Sequence, residues 1–162
     1  METLQILKRP LTDAELTQIV ERTIEERSHV GSSVLYKADA DKVKESLRKF
    51  DEDGRMRVFC IEDDVKTEII GILVFDVGEA WWTRSRILSE VFVFCVDKNF
   101  IGFGRIAIRE LKALAGIFNC DLIVAGNFFM DKPEVMTNSY RKGGFEISCP
   151  SYIKVVGGSR NG

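Results

Sequence analysis

The sequence predicts one mixed α/β domain, with helices laid over a central, mostly antiparallel sheet. Three observations predict it. The chain has 162 residues, 45% hydrophobic and 30% charged, which suits one sizeable core. Segments with helical spacing alternate with apolar runs rich in β-branched and aromatic residues. Neither internal repeats nor a linker interrupt residues 1–156, and 157–162 read as a Gly-rich, disordered tail.

Taken in order, Leu4 to Arg9 makes a short strand. Pro10 changes the rhythm. Thr12 with Glu15 three residues later is a capping-box pattern, and Leu16, Ile19, Val20 and Ile24 share one helical face. Ser28 to Ala38 reads as loop. Asp39 or Asp41 caps a second helix, with Val43, Leu47 and Phe50 on its apolar side, and Asp51 to Gly54 ends it.

Arg55 to Glu62 and Glu68 to Val77 form an antiparallel hairpin across the polar turn DDVKT. Ile87 to Val96 is apolar enough to be covered on both faces, hence central. Phe103, Ala107, Leu111, Leu114 and Phe118 mark the next helix. Asp121 to Gly126 follows as a strand, completing a βαβ unit with parallel strands. A helix then opens with Asp131 and Glu134 as capping box and Pro133 in its first turn, and Gly143 or Gly144 stops it. Phe145 to Val156 supplies two last strands about Pro150. The order is β-α-α-β-β-β-α-β-α-β-β.

Composition excludes several functions. With 23 basic and 25 acidic residues, net charge −2, nothing suggests an overall field strong enough to hold nucleic acid or an anionic membrane, and a local basic patch stays compatible with that balance. No apolar run approaches the roughly 20 residues of a membrane span, and the start lacks a signal peptide, so a cytoplasmic protein is expected. Cys60, Cys95, Cys120 and Cys149 contain no CxxC pair and read as reduced core thiols. The lone histidine, His29, leaves nothing from which to build a His-ligated metal site or a Ser-His-Asp triad.

The stretch VDKNFIGFGRIAIREL, Val96 to Leu111, carries the chemistry. Gly102 and Gly104 fall where a strand gives way to a helix. A helix start presents unpaired N–H groups and partial positive charge, so a loop bare of side chains admits a diphosphate. Ile101, Gly102, Phe103, Gly104, Arg105 and Ile106 form that cradle, with Arg105 adding charge. A tight turn without ligand is the plain alternative.

These residues resemble the acyl-coenzyme A motif of the Gcn5-related N-acetyltransferase (GNAT) superfamily, Val-x-Pro-x-aromatic-Arg-Gly-x-Gly-x-Gly. Val96, Phe100, Gly102 and Gly104 fall in matching places. The family's second signature, Tyr-x-x-x-Gly-Phe, is matched by Tyr140, Gly144 and Phe145, and the element order is similar along the whole chain. The resemblance implies an N-acetyltransferase moving an acetyl group from acetyl-CoA directly to an amine acceptor. A homodimer is compatible with it.

It further implies a role for each site residue. Tyr140 is the acid that protects the leaving thiolate, although a tyrosine packed between helix and sheet reads the same way. Glu90 is a base, acting directly or through water. Period-two counting puts Glu90 on one pleat face with Phe92, Phe94 and Val96, where apolar neighbours raise a carboxyl pKa; a solvent-facing glutamate is the plainer reading. The pantetheine arm pairs with the free edge of the fourth strand at Val93, Phe94, Cys95 and Val96, and an amide there polarises the thioester. Trp81, Trp82, Arg84 and Arg86 lie where relatives shape the acceptor pocket. Four positions depart from the pattern: Lys98, Ile101 and Ile106 in the first motif, and Pro133 where an asparagine often stands. Ile101 and Ile106 favour a second reading, an acetyltransferase-shaped protein without the chemistry that serves a structural or binding role.

Overall fold

A computed structural model describes residues 2–26, 38–126, 128–129 and 133–147. Its elements are β1 (Leu4–Ile6), α1 (Asp13–Glu26), α2 (Ala40–Glu52), β2 (Met56–Glu62), β3 (Thr67–Glu79), β4 (Arg86–Cys95), α3 (Phe103–Ile117), β5 (Leu122–Val124), β6 (Phe128–Phe129) and α4 (Pro133–Lys142). The sheet runs β1-β2-β3-β4-β5, with β6 also paired to β4. Each of β1 to β4 runs antiparallel to its neighbour, and β5 and β6 run parallel to β4.

The local signals act as their chemistry dictates. Thr12 and Glu15 form a reciprocal capping box: the Thr12 N–H donates to Glu15 at 2.8 Å, and the Glu15 N–H donates to the threonine hydroxyl at 3.2 Å. Arg9 clamps the same carboxylate at 2.6 Å. Of the two candidate caps of α2 it is Asp39 that accepts the Lys42 N–H, at 2.8 Å. β6 has no counterpart among the predicted strands. Residues 145–147 are not strand, so the first of the two last strands does not begin at Phe145. The remainder of that pair, the tail, His29, Asp131 and Cys149 lie outside the described residues.

Two cores result. Leu16, Ile19, Val20 and Leu47 of α1 and α2 pack on one sheet face against Ile72, Val74 and Phe94. Phe103, Ala107, Leu111 and Leu114 of α3 pack on the other against Phe59, Leu73, Phe75 and Val93. Burying a large apolar side chain contributes roughly 1.5–3 kcal/mol, so these two sets hold the layers together. The three described cysteines are free thiols, Cys60 fully buried and Cys95 and Cys120 half-buried.

A bulge overturns the face assigned to Glu90. Val74 lies opposite Phe92 but Phe75 lies opposite Glu90, so Val91 is an extra residue in β4. An extra residue reverses the alternation beyond it. Phe92, Phe94 and Val96 therefore belong to the α1–α2 core, whereas Glu90 faces the α3 side with its cross-strand partner Phe75.

Candidate active site

Glu90 leaves β4 just before the bulge and is only 3% exposed. It lies between the two parallel partners of its strand, since β5 pairs Ile87 to Ser89 and β6 pairs Val93 and Phe94. Tyr140 of α4 enters this notch. Its hydroxyl donates to the carboxylate, 2.9 Å from Oε1 and 2.8 Å from Oε2. The Gly126 N–H also donates to Oε1, at 3.3 Å. Burial pushes the phenol far above its usual pKa, the charge and hydrogen bond of Glu90 push the same way, and only the Gly126 amide opposes them. Tyr140 is thus held protonated and is the donor of the pair.

The end of α4 aims that phenol. The Phe145 N–H donates to the Tyr140 carbonyl at 2.9 Å, and the Gly144 N–H to the Arg141 carbonyl at 3.0 Å. Gly144 has φ 88°, the left-handed conformation that closes this helix-ending arrangement. Across it the Tyr140 and Phe145 rings meet edge to face, centroids 5.5 Å apart. The spacing Tyr-x-x-x-Gly-Phe is therefore a helix stop that fixes a ring, whatever the ring then does.

At the start of α3, Gly102 has φ 89° and ψ 13°. That conformation alone accounts for a glycine at this position. Ile101, Gly102, Arg105 and Ile106 line a cavity of about 580 Å³ between α3 and α4, together with Ile108, Arg109, Lys112, Ser139, Lys142 and Gly143. Ile101, in place of the usual arginine or glutamine, is 91% exposed. Gly104 is the second residue of α3. The Phe103 side chain is core, 3% exposed and edge to face with Phe59 at 5.4 Å, so that residue has only its backbone to offer a ligand.

The β4 positions divide. Phe94 is buried on the face opposite Glu90, beneath the Arg22 guanidinium at 5.4 Å. The Val96 N–H donates to the Ile70 carbonyl at 2.8 Å, and its carbonyl accepts from Arg22 Nε at 2.8 Å, so the Val96 amide is already engaged by β3. The Cys95 thiol is 3.2 Å from the Asp97 carbonyl, and burial pushes its pKa up to about 11. The edge of β4 expected to be free at Val93 and Phe94 carries β6. Trp81 and Trp82 form a T-shaped pair at 5.6 Å on the β3–β4 turn, Trp81 94% exposed.

Sequence reasoning missed the Gly126 amide and the basic lining of the cavity. The lining had a legible signal, Arg105, Arg109 and Lys112 at i, i+4 and i+7 on one face of α3.

Known structures share this architecture. A possible acetyltransferase from Clostridium difficile 630 aligns over 96% of this chain and 99% of its own, with 15% identity and a TM-score of 0.63. A predicted acetyltransferase from Clostridium acetobutylicum, solved with acetyl-CoA, aligns over 96% of each chain with 13% identity and a TM-score of 0.63. The ribosomal-protein-alanine N-acetyltransferase of Brucella melitensis biovar Abortus 2308 aligns over 95% of this chain and 98% of its own, with 14% identity and a TM-score of 0.60. The chain has the fold of these acetyltransferase structures. No family model and no curated protein matches the sequence. Among the described residues, no helix is long and apolar enough to cross a membrane.

Proposed function

We propose that this protein is an N-acetyltransferase that moves an acetyl group from acetyl-CoA directly to an amine. The observation that carries the reading is the buried hydrogen bond between Tyr140 and Glu90, at 2.8 and 2.9 Å, within an acetyltransferase fold. Direct transfer needs a base for the incoming ammonium and an acid for the departing thiolate. The two groups are coupled: the Glu90 charge and hydrogen bond help hold the Tyr140 proton in place. Once Glu90 takes a proton from the amine, through water because it is 3% exposed, its charge vanishes and it becomes a weaker hydrogen-bond acceptor. Tyr140 then becomes a stronger acid at the moment the thiolate leaves.

The first turn of α3, with its amides and Arg105 beside the cavity, suits the coenzyme diphosphate. A glutamate at Gly104, the second residue of α3, would set a negative charge beside that diphosphate. Calorimetry with acetyl-CoA tests the reading: binding at micromolar strength, lost in Gly104→Glu while the fold persists by circular dichroism, is the expected result. Silence at millimolar ligand would refute it. The second reading, a silent scaffold, is favoured by one observation, the β6 pairing on the β4 edge where the pantetheine arm would lie.

A further inference from the structure

The last turn of α1 runs against its own dipole. Glu25 and Glu26 end the helix with no basic residue beside them in that turn, although the field at a helix C-terminus favours cations and disfavours acids. Arg22 and Lys98 supply the missing charge. Arg22, one turn back, pairs with Glu25 at 3.0 Å and with Glu26 at 3.5 Å, and Lys98, in the connection from β4 to α3, pairs with Glu25 as well. The hydrogen bond of Lys98, and after it that of Arg22, holds the Glu25 carboxyl below its usual pKa. Arg22 does more than pair. Its side chain is 15% exposed, its guanidinium lies over the Phe94 ring at 5.4 Å, and its Nε donates to the Val96 carbonyl at 2.8 Å.

The cluster therefore joins α1 to the chain as it leaves β4. That exit is irregular, because the Val96 and Asp97 N–H groups both donate to the Ile70 carbonyl, at 2.8 and 3.1 Å, as at a bulge. A turn follows, closed by the Phe100 N–H on the Asp97 carbonyl at 3.2 Å, with Lys98 and Asn99 at its central positions. Phe100 packs against the α3 core, and Gly102 opens α3 two residues later. The turn is thus pinned on one side by α1 and on the other by the α3 core, directly before the amides of the cradle.

We infer that Arg22, Glu25 and Lys98 are positioning residues for the coenzyme: a strap from α1 fixes the exit of β4 and so holds the first-turn amides of α3 ready for the diphosphate. This inference rests on the acetyl-CoA reading above and adds to it residues that lie outside the cavity lining. Ordering a loose turn on binding would subtract from affinity, and the strap removes that cost beforehand. Its parts differ in weight. The Glu25–Lys98 pair is 43% and 51% exposed, and exposed pairs contribute little, whereas the Arg22–Val96 bond is sheltered and contributes more.

Calorimetry with acetyl-CoA tests this, each variant being checked for its fold by circular dichroism. Arg22→Met keeps the stem over Phe94 and should weaken binding about tenfold. Glu25→Gln should weaken it up to about fivefold, the opposite of what removing a negative charge does for an anionic ligand by attraction alone. Lys98→Ala should cost as much as Glu25→Gln. Lys98→Pro should keep the unaltered affinity, because proline presets the backbone at the second position of such a turn and the Lys98 N–H that it removes donates to no described residue. Equal losses in Lys98→Ala and Lys98→Pro would show that the lysine charge acts on the ligand and would overturn the strap. Tighter or unchanged binding by Glu25→Gln would overturn it too, and both results leave the transferase reading intact. Silence of the unaltered protein toward acetyl-CoA would overturn both.

Discussion

Tyr140 and Glu90 depend on each other: the phenol supplies the proton of their hydrogen bond and the carboxylate accepts it. Removing the phenol takes the hydrogen-bond donor at 2.8 and 2.9 Å away from a carboxylate that is 3% exposed, a loss that costs about 1–3 kcal/mol. Tyr140→Phe is therefore expected to lower the melting temperature as well as turnover, by roughly tenfold to a thousandfold, with acetyl-CoA affinity nearly unchanged. Stability carries a further signature. The folded phenol has a pKa raised above its ordinary 10.0, so the unfolded chain releases that proton first as the pH climbs. Folding free energy falls from about pH 10 upward, and the variant should lack this part of the alkaline loss. Glu90→Gln keeps the shape and the hydrogen bond but not the base. Its deficit should shrink as pH rises and the amine deprotonates unaided; steady-state rates against pH decide this, and a pH-independent deficit would remove Glu90 from proton transfer.

Single elements show what the sequence made legible. The capping box of α1 and the stop of α4 are short-range: Thr12 reaches Glu15, and Tyr140 reaches Phe145, through bonds closed within a few residues. Such signals survive without knowledge of the fold. The face of Glu90 did not, because a bulge is a relation between two strands. Val91 is extra only against β3, and nothing in the alternation of β4 itself announces it. β6 was hidden for a related reason: two residues carry no period, and only pairing with Val93 and Phe94 makes them a strand. The basic stripe of α3 was visible but reads as an ordinary solvated face until α4 closes the cavity over it. The stop of α4 yields a prediction. An alanine at Gly144 must adopt φ 88°, at a cost of about 1 kcal/mol, whereas asparagine tolerates that region better. Gly144→Ala should lower the melting temperature and, by loosening the Tyr140–Phe145 contact, turnover; Gly144→Asn should lose less of both. Identical behaviour of the two variants would show that the left-handed turn does not position the phenol.

On the scale of the whole molecule, the sheet centre and the mouth of the site are one mechanical unit. Gly71 of β3 lies opposite Cys95 of β4 and Phe59 of β2. A Cβ there would fall 2.3 Å from Phe103 Cζ and 2.6 Å from both adjacent ring carbons. The ring cannot easily yield, since it is 3% exposed and set edge to face against Phe59 at 5.4 Å. The backbone that carries it must move instead, and that backbone is the first turn of α3, directly after Gly102. Gly71→Ala is thus an overpacking change, expected to destabilise by about 2 kcal/mol in thermal denaturation. It should also weaken acetyl-CoA binding about tenfold, as expected when donors are displaced from a charged ligand, although residue 71 touches no part of the cavity. Phe103→Leu combined with Gly71→Ala removes the collision. The double variant should recover a large share of both losses, a non-additivity expected only of groups in direct contact. Recovery of stability without recovery of affinity would mean that the sheet and the cradle are not coupled through this ring.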